Sequence, residues 1–291
     1  MFGFLNINKP RGCTSRDVVD RVKFAARGWK VGHGGTLDPL ADGVLVIALG
    51  QATRLVEYLQ QAHKRYRAQF LLGRESATED LEGEQILRPL AEPPTRADLD
   101  AALPAFIGSI QQRPPAYSAI KVQGRRAYEL ARKGKEVQLD ERPVEVYSIE
   151  VEHYDYPQLT LNIECGKGVY VRSLGRDLAE ALGDCAVMSG LTRTAIGSFT
   201  LADAISPDEI PAPDVLPYLL TPAALAVAHL PTIVVTEMET ELLFAGRFLD
   251  NRFQLEEPLA AAHNQEGELV ALVEPRRREI KSVRNFKPGQ Q

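Results

Sequence analysis

The segment VGHGGTLDPLADGVLVIALGQATRL, Val31 to Leu55, decides how this chain is read. Glycines follow His33, a short turn carries Asp38 ahead of Pro39, and an apolar run extends from Val44 to Leu49. That order sets a carboxylate in a loop at the mouth of a buried strand, where catalytic and binding groups collect. Several chemistries of glycine-rich loops do not fit. No Lys-Ser/Thr follows the glycines at P-loop spacing, and the loop does not open a helix of a βαβ unit as a dinucleotide site requires. His33-Gly34-Gly35 would suit the oxyanion loop of an esterase, but the chain has no G-x-S-x-G nucleophile motif. Asp38 and Asp42 supply too few oxygens for a calcium loop, and no His/Cys cluster stands nearby for a transition metal. On spacing alone Asp38-Pro39 is equally a turn initiator, and His33 equally a satisfied loop histidine.

The rest of the chain sets the frame. With 291 residues, 44% hydrophobic and 25% charged, it is long enough for one large domain or for a large and a small one. No apolar run reaches the ~18 residues of a membrane span, and MFGFLNINKPRG lacks the pattern of a signal peptide, so a soluble cytoplasmic protein is expected. Cys13, Cys165 and Cys185 are far apart and form no C-x-x-C pair, which fits free thiols in a reducing compartment. The net charge of −5 gives no bulk attraction for a polyanion. Two stretches are nevertheless basic, Lys121 to Lys135 and Arg276 to Lys287, and phosphates feel charge within about one Debye length, roughly 8 to 10 Å. Taken singly, each is as readily a solvated helix face or a tail.

GFLNINKP reads as a first strand, followed by a helix capped at Thr14 or Ser15 and running to about Arg27. Val44 to Leu49 is a buried strand, Gln51 to Gln61 a helix, and HKRYRAQFLL a strand with Tyr66, Ala68 and Phe70 on one face. Gly73 to Gly83 is polar and acidic and reads as a loop, Thr95 to Phe106 as a helix, and the residues after Pro114-Pro115 as a short strand, a turn at Gly124 and a basic helix ending near Gly134. Pro143 to Tyr154 and Gln158 to Cys165 form a hairpin pattern, Leu174, Leu178 and Leu182 an apolar helix stripe, and TRTAIGSFTL a further strand. Five prolines between Pro207 and Pro222 mark a connector with little regular structure. Beyond it LPTIVVT, the helix TEMETELLFAG and the strands GELVALVEP and REIKSVRNF make a module small for independent stability, which should lean on the larger part. The pattern is α+β, with a mixed, mostly antiparallel sheet.

GHGGTLDPLADGVLVIALGQATRL strongly resembles the catalytic motif of the bacterial-type tRNA pseudouridine-55 synthases of the TruB family, G-H-x-G-x-L-D-P-x-A-x-G-x-L followed by an apolar strand and G-x-A-T-[KR]. NKPRG, HKRYRA, PPAYSAIKVQGRRAYELAR and CGKGVYVRSLGRDLAEALG fall in the family's order, so the resemblance covers roughly Phe4 to Phe199. It implies isomerisation of a uridine in the T-loop of tRNA to pseudouridine, without cofactor or metal, by covalent catalysis from one ionised carboxylate that attacks either the sugar C1′ or the base. Asp38 matches that nucleophile and Arg172 the cation that keeps it charged. Tyr66 matches the aromatic that packs on the uracil and helps remove its C5 proton; as a residue it is also a plain core tyrosine on a strand. Tyr170 and Leu191 match groups lining the base pocket, and Lys9 a lysine near the site. His33 matches the residue that inserts into the T-loop when the base flips out. Lys121 and its basic neighbours, with the C-terminal basic strand, would bind phosphates of the T arm and acceptor stem. Gly34 and Asp42 stand where the family commonly has threonine.

The implied fold is the pseudouridine synthase type over residues 1–205, a Pro-rich connector over 206–229 and a PUA-like RNA-binding module over 230–291, in a monomer with no membrane partner. Two other readings stay open. One is a tRNA-folding chaperone with catalysis secondary. The other is a carboxylate glycosidase, which wants a second acid about 5 to 9.5 Å away, with Asp42 its one nearby candidate.

Overall fold

The protein, seen in a computed structural model, is described at residues 2–118, 120–122, 124–131 and 139–287. Strand β1 (Gly3–Lys9) leads to helix α1 (Ser15–Ala25), whose start is fixed by a capping box: the Thr14 hydroxyl accepts from the Asp17 N–H, and the Asp17 carboxylate accepts from the Thr14 N–H. β2 (Val31–His33) and β3 (Ala41–Leu49) flank the Asp38 loop. The helix expected over Gln51 to Gln61 is divided into a 3-10 segment, Gly50–Leu55, and α2 (Val56–Gln61). β4 (Lys64–Leu72) follows, and the expected loop after Gly73 proves partly ordered, as a ribbon of β5 (Arg74–Ser76) and β6 (Gln85–Leu87). α3 (Arg96–Ala102) is capped by Thr95 and tightens into a 3-10 turn at Pro104. Next come β7 (Gly108–Gln112), the small pair β8 (Lys121–Val122) and β9 (Arg125–Arg126), and α4 (Ala127–Ala131). The rest of the expected basic helix, to Gly134, lies outside the described residues, as does the side chain of Lys121. β10 (Arg142–Asp155), β11 (Gln158–Cys165), α5 (Val171–Ala181), β12 (Ala186–Ile196) and β13 (Phe199–Thr200) complete the larger part.

The central sheet runs β1-β3-β12-β4-β11-β10-β7, with β2 beside β3 and β13 beside β12. Its neighbours are antiparallel except β3 and β12, a parallel pair in which Leu191 faces Ala41 and Arg193 faces Gly43. The all-apolar run of β3 has a simple cause in the period of two. Leu45, Ile47 and Leu49 pack with Val18, Val19 and Val22 of α1, while Val44, Val46 and Ala48 pack with Leu55, Leu59 and Phe286. From Val44 onward both faces of the strand are core, so neither carries a polar residue there.

α5 lies on the sheet through Leu174 and Leu178, which join Phe70, Leu161 and Met188. It sits so close that a Cβ on Gly175 would stand 2.0 Å from a ring carbon of Phe70. Gly175→Ala is therefore expected to destabilise the protein by about 1–3 kcal/mol, by overpacking, in a denaturant titration. β4 opens with Lys64, whose buried ammonium donates to the carbonyls of Gln60 (2.6 Å) and Ala62 (2.7 Å) and so closes the end of α2. Burial lowers its pKa from 10.5 to about 8. The unfolded chain then binds more protons between these values, so the penalty is full below about pH 8 and fades as pH rises toward 10.5. Relative to Lys64→Met, wild-type stability should climb by on the order of 2–3 kcal/mol across that window in denaturant titrations at stepped pH.

The Pro-rich connector is more ordered than its composition suggests. It forms 3-10 turns at Pro207–Glu209, Leu216–Leu219 and Ala223–Val227 and runs along the outer edge of β1, where Asn8 N–H donates to Ile205 O (2.8 Å) and Thr221 N–H to Phe4 O (2.8 Å). It thereby covers an edge that would otherwise invite pairing. A second sheet of β14 (Thr232–Val234), β15 (Leu249–Asp250), β16 (Ala260–His263), β17 (Leu269–Arg276) and β18 (Glu279–Asn285) runs in the order β14-β16-β17-β18-β15, beside α6 (Glu237–Phe244). It does lean on the larger part: Phe286 stacks on Phe2 at 5.8 Å, Arg54 donates to Asn285 O at 2.8 Å, and Arg284 pairs with Glu57. No helix among the described residues is long and apolar enough to cross a membrane.

Candidate active site

The Asp38 loop exists because β3 is shared along one edge. β12 pairs with it as far as Gly43, and β2 resumes the edge where His33 faces Ile47. The chain from Gly34 to Leu40 bridges that fork and must leave the sheet. Its backbone is nonetheless fastened. Ser15 Oγ accepts from Leu37 N–H (2.8 Å) and donates to Leu37 O (2.9 Å), Gly12 N–H donates to Pro39 O (2.8 Å), and Ala41 N–H donates to Asp38 O (3.0 Å). Ser15 therefore serves the loop as well as the start of α1. Gly34, a departure from the resembled motif, is explained by its neighbour: a Cβ there would meet Leu59 Cδ2 at 2.4 Å, so Leu59 fills the space a threonine would need.

Asp38 is 45% exposed, and its Oδ2 lies 3.1 Å from Nη2 of Arg172, which is only 8% exposed. The carboxylate thus opens to solvent while its partner is held from behind. Arg172 is the second residue of α5, where the helix dipole disfavours a cation. Four acceptors compensate. Besides Asp38, Nη1 pairs with Asp80 Oδ2 (3.3 Å) and donates to Thr78 O (2.9 Å), and Nη2 donates to Tyr117 O (3.2 Å). Asp80 is 3% exposed and is itself fixed by donation from Thr78 Oγ1 (2.5 Å) and Glu82 N–H (3.0 Å). Next to it Glu79 accepts from Ser173 Oγ (2.7 Å) and pairs with Arg176, while burial pushes its carboxyl pKa up. The acidic stretch that reads as a surface loop is thus docked on the start of α5 and on β12, where Met188 N–H donates to Glu79 O (2.9 Å).

Tyr66 faces Arg193 across β4 and β12, and Leu191 faces Ala68 two residues along on the same face. Both Tyr66 and Leu191 are partly buried at the rim of the core beside α5. Burial raises the Tyr66 pKa, with the nearby Asp38 charge adding to the rise and Arg193 opposing it. Tyr170 precedes Arg172 and is clamped by Gln112, whose amide donates to Tyr170 O (3.0 Å) and accepts from Tyr170 N–H (2.8 Å); Arg142 lies 5.4 Å from its ring centroid.

The remaining expected residues are placed differently. His33 ends β2 with Nδ1 buried and without a partner among the described residues, and burial lowers its pKa, so the ring is neutral at pH 7. Lys9 lies beside the loop, opposite Gly43 in the sheet. It is fully buried and donates to Pro10 O (2.9 Å) and Cys13 O (2.8 Å), which shapes the turn beside the loop. Burial lowers its pKa, and the nearby Cys13, Asp42 and Asp38 oppose this. Among the described residues no group of three or more His, Cys, Asp or Glu side chains is placed to hold a metal.

Asp80, Gln112 and Arg193 were not singled out by sequence. Arg193 carried one visible signal, an arginine on the same strand face as Leu191, whereas Asp80 sits in a run of acids with nothing to mark it.

Comparison with known proteins matches residues 21–171 to the TruB family pseudouridylate synthase N-terminal domain. The chain is similar to tRNA pseudouridine synthase B of Gluconobacter oxydans (strain 621H), 42% identical over 277 residues, 92% of this chain and 83% of that protein. It is also similar to the protein of that name from Moorella thermoacetica (strain ATCC 39073 / JCM 9320), 45% identical over 242 residues, 81% of this chain and 79% of the relative. Among solved structures, a chain in a Cbf5-Nop10-Gar1 complex matches with a TM-score of 0.75 and 28% identity, covering 98% of this chain and 84% of that one. A chain of an H/ACA RNP bound to a substrate RNA containing 2′-deoxyuridine matches with a TM-score of 0.76 and 25% identity, covering 99% and 86%. With the motif, the sheet and the Asp38–Arg172 pair in agreement, this chain belongs to the TruB family of pseudouridylate synthases.

Proposed function

We propose that this protein isomerises uridine to pseudouridine at position 55 in the T-loop of tRNA, with Asp38 as the nucleophile and without cofactor or metal. The observation that carries the reading is the Asp38 carboxylate, open to solvent on one side and held at 3.1 Å by the buried Arg172 on the other. Arg172 supplies the opposite charge beside that carboxylate as the incoming base excludes water. Tyr66 and Leu191 wall the base, Tyr66 helping to remove the C5 proton, and Tyr170 closes the pocket from the start of α5. The neutral His33 ring stacks in the gap left by the flipped base. Lys9 acts from beneath by fixing the neighbouring turn. Lys121 and the basic residues around it, with the exposed Arg276, Arg277 and Arg278 at the turn between β17 and β18, neutralise phosphates of the T arm and acceptor stem. Residues 1–205 form the catalytic domain, 206–229 the connector and 230–291 a PUA-like RNA-binding module, in a cytoplasmic monomer.

The test is to incubate the protein with an unmodified tRNA transcript and map pseudouridine by carbodiimide-dependent primer extension, beside a transcript carrying cytidine at position 55. One stoichiometric modification at position 55 is expected, and none in the cytidine transcript. Product at other uridines, or none at all, overturns the assignment.

A further inference from the structure

We infer that Arg193 is a positioning residue for the reaction, holding the Asp38 loop in its reactive shape by standing in for the strand that is missing at the fork of β3. Its side chain is among the largest fully buried ones, 2% exposed, and among the described residues no carboxylate pairs with it. Besides the Tyr66 side chain, what meets the guanidinium is backbone. Nε donates to Val44 O (2.8 Å), Nη2 to Gly35 O (3.0 Å) and Nη1 to Thr36 O (3.5 Å). These carbonyls belong to the two segments that flank Asp38, one before it in the loop and one after it in β3.

The position in the sheet explains why an arginine is needed. At Gly43 the backbones of β3 and β12 approach so closely that a Cβ would stand 2.3 Å from Arg193 O, and Gly43 has φ +97°, which a side chain would strain. Immediately beyond, the register of β12 shifts between Arg193 and Ala195 along β4, and its pairing with β3 ends. The Val44 carbonyl is thereby left without a ladder partner from β12, and Arg193 Nε takes that place. The same planar fork reaches on to Gly35 and Thr36, which an ammonium, a single point of charge, cannot do at once with Val44. With Ser15 on Leu37, Gly12 on Pro39 and Ala41 on Asp38, the loop backbone is fastened from residue 35 through 39. The Asp38 side chain alone is left to project toward Arg172. Such fixing removes reorganisation at the moment of attack, and a misplacement of about 1 Å at a reacting group can lower a rate by about 100-fold. Arg193 also lies against Tyr66, its register partner across β4, so loop and aromatic wall are aligned by one buried group.

The inference rests on Asp38 being the reacting group, and its test keeps the two apart. Single-turnover pseudouridine formation at saturating enzyme and tRNA binding are measured for wild type, Arg193→Met and Arg193→Lys, with thermal melting as the check on folding. Wild-type product at position 55 reports on the proposed function, and the ratio of variant to wild type reports on Arg193. The expected result is a tRNA Kd within about threefold of wild type and a single-turnover rate lowered by about 100-fold or more in Arg193→Met. Arg193→Lys keeps the buried charge but reaches fewer carbonyls, and should recover less than a tenth of the wild-type rate. If Arg193→Met does not fold, Arg193→Lys alone decides by the same split. A folded variant with a rate within threefold of wild type, or one whose whole loss lies in Kd, overturns the inference.

Discussion

Asp38→Asn is expected to abolish pseudouridine formation, by on the order of 10⁴-fold or more, while leaving tRNA binding intact or tighter. The substitution is nearly isosteric, and the amide oxygen can still accept from Arg172 Nη2 at the 3.1 Å position, so the loop keeps its shape. What is lost is the negative charge, and with it the electron pair that forms the covalent bond. Binding should move the other way, because a carboxylate 45% exposed in a cleft that receives a polyanion repels it. Single-turnover assays with transcript tRNA and filter-binding isotherms separate the two quantities. Wild-type product from Asp38→Asn would falsify the nucleophile assignment. The variant also tests the chaperone alternative, since tRNA refolding that survives without Asp38 identifies a second activity of the same surface.

The Asp38 loop and the strand after it were legible from sequence because their physical causes are local. Asp38-Pro39 between a glycine cluster and an apolar run is turn chemistry followed by burial, and β3 is buried on both faces. The helix start at Thr95 followed from Thr95 with Asp98 in the first turn, and the first start was narrowed to Thr14 or Ser15, of which the structure uses Thr14, because capping signals span only four residues. What was not legible is set by pairing between distant segments. The ion pair of Asp80 with Arg172 joins residues 92 apart, and Arg193 Nε meets Val44 O across 149. Nothing within a short window distinguishes Asp80 from the acids around it. The short strand β16 was missed for another reason: Ala260, Ala261 and Ala262 have low strand propensity and are held in the sheet by pairing with β14 and β17.

Arg172 carries the second large effect, and its consequences follow from holding Asp38 and Asp80 at once. Arg172→Met leaves Asp80, 3% exposed, as a buried carboxylate without its cation, which costs about 3–5 kcal/mol unless the group takes up a proton. Part of that loss should be recovered by adding Asp80→Asn, because the unpaired buried charge is then gone. Activity should not recover with it. In the double variant Asp38 still faces the incoming base without a cation, and the rate should stay about 10²–10⁴-fold below wild type. Asp80→Asn alone should be milder, near tenfold, since Arg172 keeps Asp38, Thr78 O and Tyr117 O and the amide oxygen replaces one carboxylate oxygen. Denaturant titration and single-turnover rates on the four proteins give the comparison. A double variant that regains activity along with stability would reduce Arg172 to a scaffold. Stability regained with the rate still low assigns it to charge stabilisation at Asp38, because only the missing cation then distinguishes that variant from wild type at the reacting carboxylate.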